Sequence, residues 1–147
     1  MEDWSISHDL TAEEQDIVYR WLGSEASWSK NLPRAVFDRS LAGSFCFALK
    51  DRTGELRGFA RLITDRATFA YLCDVFVEAS VRGRGGGKAL IAAIMSDPGL
   101  QDLRRWMLIT RDAHGLYEPF GFTALTHVER FMQRHDPDVY AEKAPSS

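Results

Sequence analysis

The sequence has little of several features that would narrow its class. Its 147 residues include two cysteines, Cys46 and Cys73, both inside apolar stretches, so we expect free thiols rather than a disulfide framework. The longest unbroken apolar run, Ala89 to Met95, is far too short for a transmembrane helix, which needs about 20 residues. The first residues are acidic and lack the basic and apolar regions of a signal peptide, which predicts a cytoplasmic protein.

A large excess of one charge is also missing. Lysine and arginine total 18 against 21 acidic residues, which gives a net charge of −3 and argues against a general nucleic-acid binder. The four histidines are scattered without metal-ligand spacing, so we predict no metal site. Hydrophobic residues make up 45% of the chain and charged residues 27%, the composition of an ordinary globular domain.

The first half of the chain predicts helices followed by strands. Residues 11–14, Thr-Ala-Glu-Glu, form a capping box, and the helix that it opens should run to about residue 22 and end at Gly23-Ser24. Pro33 fits the first turn of a second, short helix that ends near Gly43. Strands are then expected at residues 45–50, 56–64 and 69–77. The link before the third of these strands is short, which predicts that it lies antiparallel to the second.

The second half predicts a crossover between parallel strands. A glycine-rich loop at residues 82–87 opens a helix with apolar residues at helical spacing, which Pro98 ends. Residues 106–110 predict a further strand, and Asp112 can cap a following short helix. Strand, loop, helix and strand over this length form a βαβ unit, whose two strands are parallel.

The predicted fold class is therefore α/β, with a mixed, mostly antiparallel central sheet, helices on both faces and one parallel βαβ crossover. Residues 122–134 should add one or two strands to the sheet. One domain is expected over residues 1–135, followed by a polar, proline-containing C-terminal tail over residues 136–147.

The loop from Arg82 to Lys88 reads Arg-Gly-Arg-Gly-Gly-Gly-Lys. Glycines let the backbone approach a ligand closely, and free amides at the start of a helix favour an anion. Two arginines and a lysine add positive charge, so we expect a phosphate or pyrophosphate. The spacing excludes a P-loop, because Ala89 follows the lysine, and it excludes the dinucleotide fingerprint, whose third glycine would be Lys88 or Leu90.

The remaining pattern is Arg-x-x-Gly-x-Gly, filled by Arg82, Gly85 and Gly87. Together with Leu-Tyr-Glu-Pro-Phe-Gly-Phe at residues 116–122, it resembles the acyl-CoA loop and the downstream signature of the GNAT N-acetyltransferases. The resemblance covers nearly the whole chain. It implies a single-domain GNAT fold, acetyl-CoA as cosubstrate, and transfer of the acetyl group to a primary amine of a small molecule by direct attack in a ternary complex.

The resemblance also implies a set of site residues. The loop amides would hold the pyrophosphate, and Val75 or Phe76 would donate an amide hydrogen to the thioester oxygen at a strand bulge. Tyr117 matches the general acid that protonates the departing thiolate, while its local pattern alone fits an aromatic of a short amphipathic helix. The residues expected to bind the cosubstrate are Val75, Phe76, Val77, Arg82, Gly83, Arg84, Gly85, Gly86, Gly87, Lys88, Asp112 and Phe120.

The residue that accepts the amine proton is left open. In the polyamine-type members that the strand resembles, a glutamate stands where this chain has Cys73, which leaves Asp74 as a second catalytic candidate. This carboxylate could accept the proton directly or through water, or it could pair with Arg61 on the neighbouring strand. A water chain without a single base is a third reading. Cys73 is not expected to be a nucleophile, because no neighbouring base or cation is evident.

Several further residues are candidates for the acceptor side. Trp28 could cover the acceptor pocket or pack in the core, His114 fits a solvated helix end, and Asp65, Phe69 and Arg111 could line the pocket. Two other functions stay open: a non-catalytic acyl-CoA-binding or sensor module on the same fold, and a protein or peptide N-acetyltransferase. Small members of the family are often homodimers, so this chain could be one.

Overall fold

The computed structural model describes residues 3–25 and 31–141, and within them a mixed sheet has the strand order β1-β2-β3-β4-β5. The strands are β1 (Ser5–Ser7), β2 (Phe45–Lys50), β3 (Leu56–Thr64), β4 (Phe69–Val77) and β5 (Arg105–Leu108). Neighbouring strands pair antiparallel, except β4 and β5, which are parallel. The predicted fold class is confirmed, and β2, β3 and β4 have the predicted bounds.

The helices are α1 (Ala12–Arg20), α2 (Arg34–Ala42), α3 (Gly86–Ser96) and α4 (His114–Tyr117). Short 3₁₀ turns lie at Ala79–Val81, Pro98–Leu100, Glu118–Phe120 and Val128–Arg130. The helix α1 begins at the predicted capping box, in which the backbone N–H of Glu14 donates to Thr11 Oγ1 at 3.1 Å and the backbone N–H of Thr11 donates to Glu14 Oε1 at 3.0 Å.

The predicted stop of the first helix at Gly23-Ser24 is wrong. After α1 the chain continues as a π-helical turn over Trp21–Glu25. Trp21 and Leu22 are buried there, and the Trp21 ring stacks on Phe76 of β4 at 5.0 Å. This packing outweighs the weak helix propensity of glycine.

An apolar cluster lies on each face of the sheet, as the predicted placement of helices on both faces requires. On one face, α3 buries Leu90, Ile91 and Ile94 in a cluster with residues of β2, β3 and β4, and Tyr117 of α4 belongs to the same cluster. On the other face, Val18 of α1 and Phe37 of α2 lie in a cluster with further residues of the same sheet. The helices therefore pack against both faces of the sheet, and β4 contributes residues to both clusters.

Differences from the sequence analysis lie near the two ends of the sheet. The strand β1 was not predicted, because three residues are too few to show an alternating pattern. No strand follows β5 within the described residues: His127 has a left-handed φ of 55°, and Met132 is 98% exposed. Asp112 does not cap α4, since the cap is Ala113, whose N–H donates to Thr110 Oγ1 at 3.1 Å.

Among the described residues, no helix is both long and apolar enough to cross a bilayer. The predicted C-terminal tail begins within those residues, where 137–140 form a turn. Its remaining residues, 142–147, lie outside them. The domain boundary after residue 135 stays a prediction.

Candidate active site

The central feature of the site is a fork between the two parallel strands. The strand β4 pairs with β5 from Phe69 to Leu72, and its register pairs end there. Beyond that point, Val75, Phe76 and Val77 line one wall of a cleft with a volume of about 460 Å³. Separation of paired strands leaves backbone groups of β4 available to a ligand, because each unpaired amide needs another partner.

The opposite wall of the cleft comes from the chain after β5. It consists of Asp112, Ala113, Leu116 and Tyr117, and the mouth is bounded by the glycine loop. Sequence reasoning missed Ala113 and Leu116 as cleft residues. Leu116 belongs to the Leu-Tyr signature and could have been assigned from it, whereas Ala113 carries no local signal.

A β-bulge lies in β4 where the strand begins to line the cleft. The register with β3 pairs Phe59 with Phe76 but Arg61 with Cys73, so two residues, Asp74 and Val75, oppose one residue of β3. Asp74 has a left-handed φ of 54°. A bulge rotates the backbone after it, and bulges are frequent next to active sites.

The glycine loop leads directly into α3. The first hydrogen bond that closes the helix runs from the N–H of Ala89 to the carbonyl of Gly85 at 3.0 Å. The amides of Gly86, Gly87 and Lys88 precede it and have no partner inside the helix, which is the usual basis of anion binding at a helix start. Gly85 is the N-cap, with a left-handed φ of 86°.

The glycines of the loop differ in what they permit. Gly83 and Gly85 have φ values of 83° and 86°, so an L-residue at either position would be strained. Gly86 is buried, and a Cβ there would approach Leu49 Cδ2 to 3.1 Å. Gly87 lines the cleft, and a Cβ there would lie 3.7 Å from Leu116, an ordinary contact.

Arg82 connects the loop to the end of β4. Its Nε donates to the carbonyl of Val77 at 2.9 Å, and its guanidinium lies 5.6 Å from the centre of the Phe76 ring. Arg82, Arg84 and Lys88 are exposed, and the first of them lines the cleft. Positive charge therefore surrounds the exposed amides at the start of α3.

Tyr117 is buried in the cleft wall, with 7% of its surface exposed. Its ring packs edge-on against Phe122 at 5.9 Å. Within residues 3–25 and 31–141 its hydroxyl makes no hydrogen bond, and burial raises the pKa of the phenol above its ordinary value. The phenol therefore holds its proton throughout the neutral range.

Asp74 lies beside the cleft, but its carboxylate is already engaged. Arg61 Nε donates to Asp74 Oδ2 at 2.8 Å, and Arg61 Nη1 donates to Ser44 Oγ at 3.0 Å. Burial is the largest single effect and would lower the pKa of Arg61, but the charge and hydrogen bond of Asp74, together with Cys73 and Cys46, outweigh it and the pKa is raised. The ion pair that the sequence offered as one reading of Asp74 is confirmed. Its role as proton acceptor stays a prediction.

Both cysteines flank Arg61 on one face of the sheet. Cys46 is its register partner on β2, and Cys73 is its register partner on β4. Both are free, and burial raises the pKa of both thiols to about 11. Such thiols are poor nucleophiles at neutral pH, since only the thiolate attacks.

Other residues that the sequence analysis named do not line the cleft. Phe120 lines a different surface cavity, beside β5. Asp65 uses its carboxylate inside a turn, where hydrogen bonds from Thr68 and from backbone amides hold its pKa well below the usual range. Trp28 lies outside the described residues. Among those described, no cluster of His, Cys, Asp and Glu could hold a metal ion.

Comparison with known proteins agrees with this geometry. A 42%-identical protein of Xanthomonas campestris pv. campestris, provisionally named as a GNAT acetyltransferase, has a solved structure that matches 97% of this chain and 99% of its own with a TM-score of 0.91. A protein of Clostridium acetobutylicum, predicted to be an acetyltransferase and solved with acetyl-CoA, is 12% identical and shares the fold, with a TM-score of 0.64 over 92% of this chain and 96% of its own.

A curated protein of Gibberella zeae, provisionally named as an acetyltransferase, is 29% identical over an alignment of 134 positions, and the match covers 78% of this chain and 76% of that protein. The model of the acetyltransferase (GNAT) family matches residues 10–122, which span the cleft, the bulge and the glycine loop. The chain therefore belongs to the GNAT acetyltransferase family.

Proposed function

We propose that the protein transfers the acetyl group of acetyl-CoA to a primary amine of a small molecule. The observation that carries the proposal is the cleft itself, in which a bulged strand, the amides at the start of α3 and a buried tyrosine face one another. These three parts match the three needs of the reaction: an oxyanion donor, an anion site and an acid for the leaving group.

The residues of the cleft fit the cosubstrate. The amides of Gly86, Gly87 and Lys88, which have no partner inside the helix, would bind the pyrophosphate, with Arg82 at the edge. The backbone of residues 75–77, unpaired on the β5 side, is available to an extended arm in the manner of an added strand. Acetyl-CoA supplies an activated thioester. Every other part of the reaction falls to this chain and to the amine.

In the proposed reaction the amine lone pair forms a bond to the thioester carbon, and the carbon–sulfur bond breaks. The amide of Val75 or Phe76 stabilises the negative charge that develops on the thioester oxygen, a contribution of about 2.7–4 kcal/mol for a typical oxyanion donor. Tyr117 gives its proton to the departing sulfur and recovers one from solvent. The amine proton leaves to water or to Asp74, and the engagement of Asp74 by Arg61 favours water.

A non-catalytic acyl-CoA sensor on the same fold is the second candidate. Two observations favour it: Cys73 stands where the polyamine-type members carry a glutamate, and the adjacent carboxylate is held in an ion pair. Both candidates bind CoA, so binding alone does not separate them. Release of free thiol in the presence of an amine does.

The first experiment compares thermal shifts with acetyl-CoA, CoA, ATP and NAD. A ligand at 100 times its dissociation constant adds about 2.7 kcal/mol, which at about 2–4 °C per kcal/mol raises Tm by roughly 5–10 °C. We expect shifts with both CoA species and none with ATP or NAD. A shift with NAD or ATP alone would contradict the proposal.

The structure provides a matched pair of variants for this experiment. Gly85→Asp places a carboxylate at the start of α3, in a position with a φ of 86° and no atom within 4 Å of the new Cβ. Gly54→Asp introduces a carboxylate in the β2–β3 turn, away from the cleft, where φ is 85° and no atom lies within 4 Å of the new Cβ. We expect the first variant to abolish the CoA shift and the second to keep it.

A further inference from the structure

Asp74 has a backbone conformation that few aspartates adopt inside a strand. It occupies the first position of the bulge with a φ of 54°, in the left-handed region that glycine usually fills in bulges of this kind. Such a conformation is costly for an L-residue and persists where surrounding contacts hold it. The contacts that hold Asp74 are therefore part of what determines the shape of β4 at the cleft.

Those contacts come from the facing strand. Arg61, on β3, is the register partner of Cys73, the residue that precedes the bulge, and its Nε donates to Asp74 Oδ2 at 2.8 Å. The side chains of Arg61 and Asp74 are 16% and 13% exposed, so the pair is weakly screened by solvent.

Arg61 is itself fixed at its other end. Its Nη1 donates to Ser44 Oγ at 3.0 Å, and Ser44 Oγ donates to the carbonyl of Ser40 in α2 at 2.6 Å. A chain of hydrogen bonds thus runs from α2 through Arg61 to the bulge. This arrangement leaves little freedom in the direction of the guanidinium.

We propose that Arg61 is a positioning residue, which holds Asp74 in its left-handed conformation and thereby directs the amide at Val75 towards the thioester. Val75 lines the cleft, whereas Arg61 and Asp74 are not among its lining residues, so the effect is transmitted through the backbone. The inference deepens the proposed function and rests on it. It assigns the ion pair to orientation of the oxyanion donor rather than to proton transfer.

The test uses acetyl-CoA labelled with ¹³C at the thioester carbonyl. A hydrogen bond to the carbonyl oxygen moves the ¹³C resonance downfield when the cosubstrate binds. We expect this shift in the wild-type protein and its loss in Arg61→Met, with the affinity for acetyl-CoA changed less than threefold. Arg34→Met is the control, because Arg34 also forms two ion pairs, with Asp16 and Asp38, at a distance from the cleft.

Kinetics with an amine that supports turnover provide the second readout. We expect Arg61→Met to lower kcat by about 10- to 100-fold while KM for acetyl-CoA stays within threefold. Asp74→Asn should lower kcat less, by under fivefold, because asparagine tolerates the left-handed region and its amide oxygen still accepts from Arg61. In the pH profile of kcat, Asp74→Asn should keep the decline at acidic pH that the wild-type protein shows.

Arg61→Met leaves a buried carboxylate without its partner and could fail to fold. In that case Arg61→Lys is used instead. Lysine keeps the positive charge but cannot bond Asp74 and Ser44 with the geometry of a guanidinium, so we expect a partial loss of the ¹³C shift. A wild-type ¹³C shift in a folded Arg61 variant would overturn the inference. A second outcome would also overturn it: an Asp74→Asn protein that keeps the ¹³C shift but loses turnover and the decline of kcat at acidic pH. Asp74 would then be the base.

Failure of the inference is distinct from failure of the proposed function. If acetyl-CoA binds to the wild-type protein without a downfield shift, the oxyanion assignment is wrong while the cosubstrate site stands. If acetyl-CoA does not bind at all, both are wrong.

Discussion

Two residues were predicted to be catalytic, and their surroundings differ. Tyr117 is buried, lines the cleft and has a hydroxyl without a partner among the described residues. Asp74 is half-buried, its carboxylate is held in an ion pair, and it does not line the cleft. A group that transfers a proton needs access to the reacting atoms, so the geometry supports the acid role of Tyr117 more strongly than the base role of Asp74.

Removal of the Tyr117 hydroxyl should distinguish between the two proposed functions, an acetyltransferase and a non-catalytic sensor. We expect Tyr117→Phe to lower kcat for thiol release by about 10²- to 10⁴-fold, the usual contribution of a general acid, and to leave acetyl-CoA binding nearly unchanged. The measurement is steady-state release of CoA with an amine acceptor, alongside a thermal shift. Tyr19→Phe is the control, because the Tyr19 hydroxyl donates to the carbonyl of Leu32, away from the cleft.

The pH dependence of the wild-type enzyme follows from the same residue. Burial raises the pKa of Tyr117 above its ordinary value of about 10, so the acid stays protonated through pH 9. We therefore expect that ionisation of Tyr117 causes no decline of kcat between pH 8 and 9. The pH profiles of the wild-type protein and of Tyr117→Phe should have the same shape over this range. A descending limb below pH 9, present only with tyrosine, would contradict the assignment.

At the scale of elements, the start of α3 and the fork of β4 and β5 border the same cleft. Two glycines of the loop meet different structural requirements. Gly85 adopts the left-handed conformation of the N-cap, and Gly87 leaves the start of the helix open where it lines the cleft. These requirements are separable, because one concerns backbone strain and the other concerns space for a ligand.

Alanine at the two glycines should affect stability and binding in opposite ways. Gly87→Ala has helical φ and an ordinary contact of 3.7 Å to Leu116, so we expect an unchanged or higher Tm but at least a tenfold weaker binding of acetyl-CoA. Gly85→Ala should lower the free energy of unfolding by about 1–2 kcal/mol, because alanine is strained at a φ of 86°.

Chemical denaturation and calorimetric titration measure the two effects. Gly54→Ala, at a φ of 85° outside the site, should share the stability loss and retain binding. Wild-type affinity in Gly87→Ala would place the pyrophosphate elsewhere.

At the scale of the whole molecule, the two half-buried thiols should make the free energy of unfolding depend on pH in the alkaline range. Both cysteines have a pKa of about 11 in the folded protein, against about 8.5 in an unfolded chain. Between these values the folded state binds more protons than the unfolded state, so the free energy of unfolding falls as pH rises from about 9 to 11.

Urea denaturation at pH 7, 9 and 10 tests this dependence. A Cys46→Ala/Cys73→Ala protein should show a shallower fall over the same range, whatever its stability at pH 7. Equal slopes in the two proteins would mean that the thiols ionise as easily when folded as when unfolded.

Local patterns predicted much of the fold. The capping box at Thr11 and the bounds of β2, β3 and β4 all follow from residues within a few positions of one another. The glycine loop and the Leu-Tyr signature likewise located the cleft, because the βαβ unit that connects them must bring their ends together.

Other features depend on partners that are distant in sequence. The strand β1 exists because Ser5–Ser7 pairs with β2, and the π-helical turn after α1 exists because Trp21 packs on Phe76. Residues 122–134 show the reverse case: their apolar residues suggest strands, but Leu125, Val128 and Met132 are exposed, so the segment does not join the sheet. An alternating pattern predicts a strand only where a neighbouring edge accepts it.

The sequence by itself therefore determined the order of the helices and strands from α1 to α4, the family and most of the residues that line the cleft, since these depend on local pattern and on motif spacing. Only the tertiary structure decided where the sheet ends, that Asp74 occupies a bulge and that Arg61 holds its carboxylate. Strand register and ion pairing are set by residues on different strands, and their energies exist only once the strands have come together.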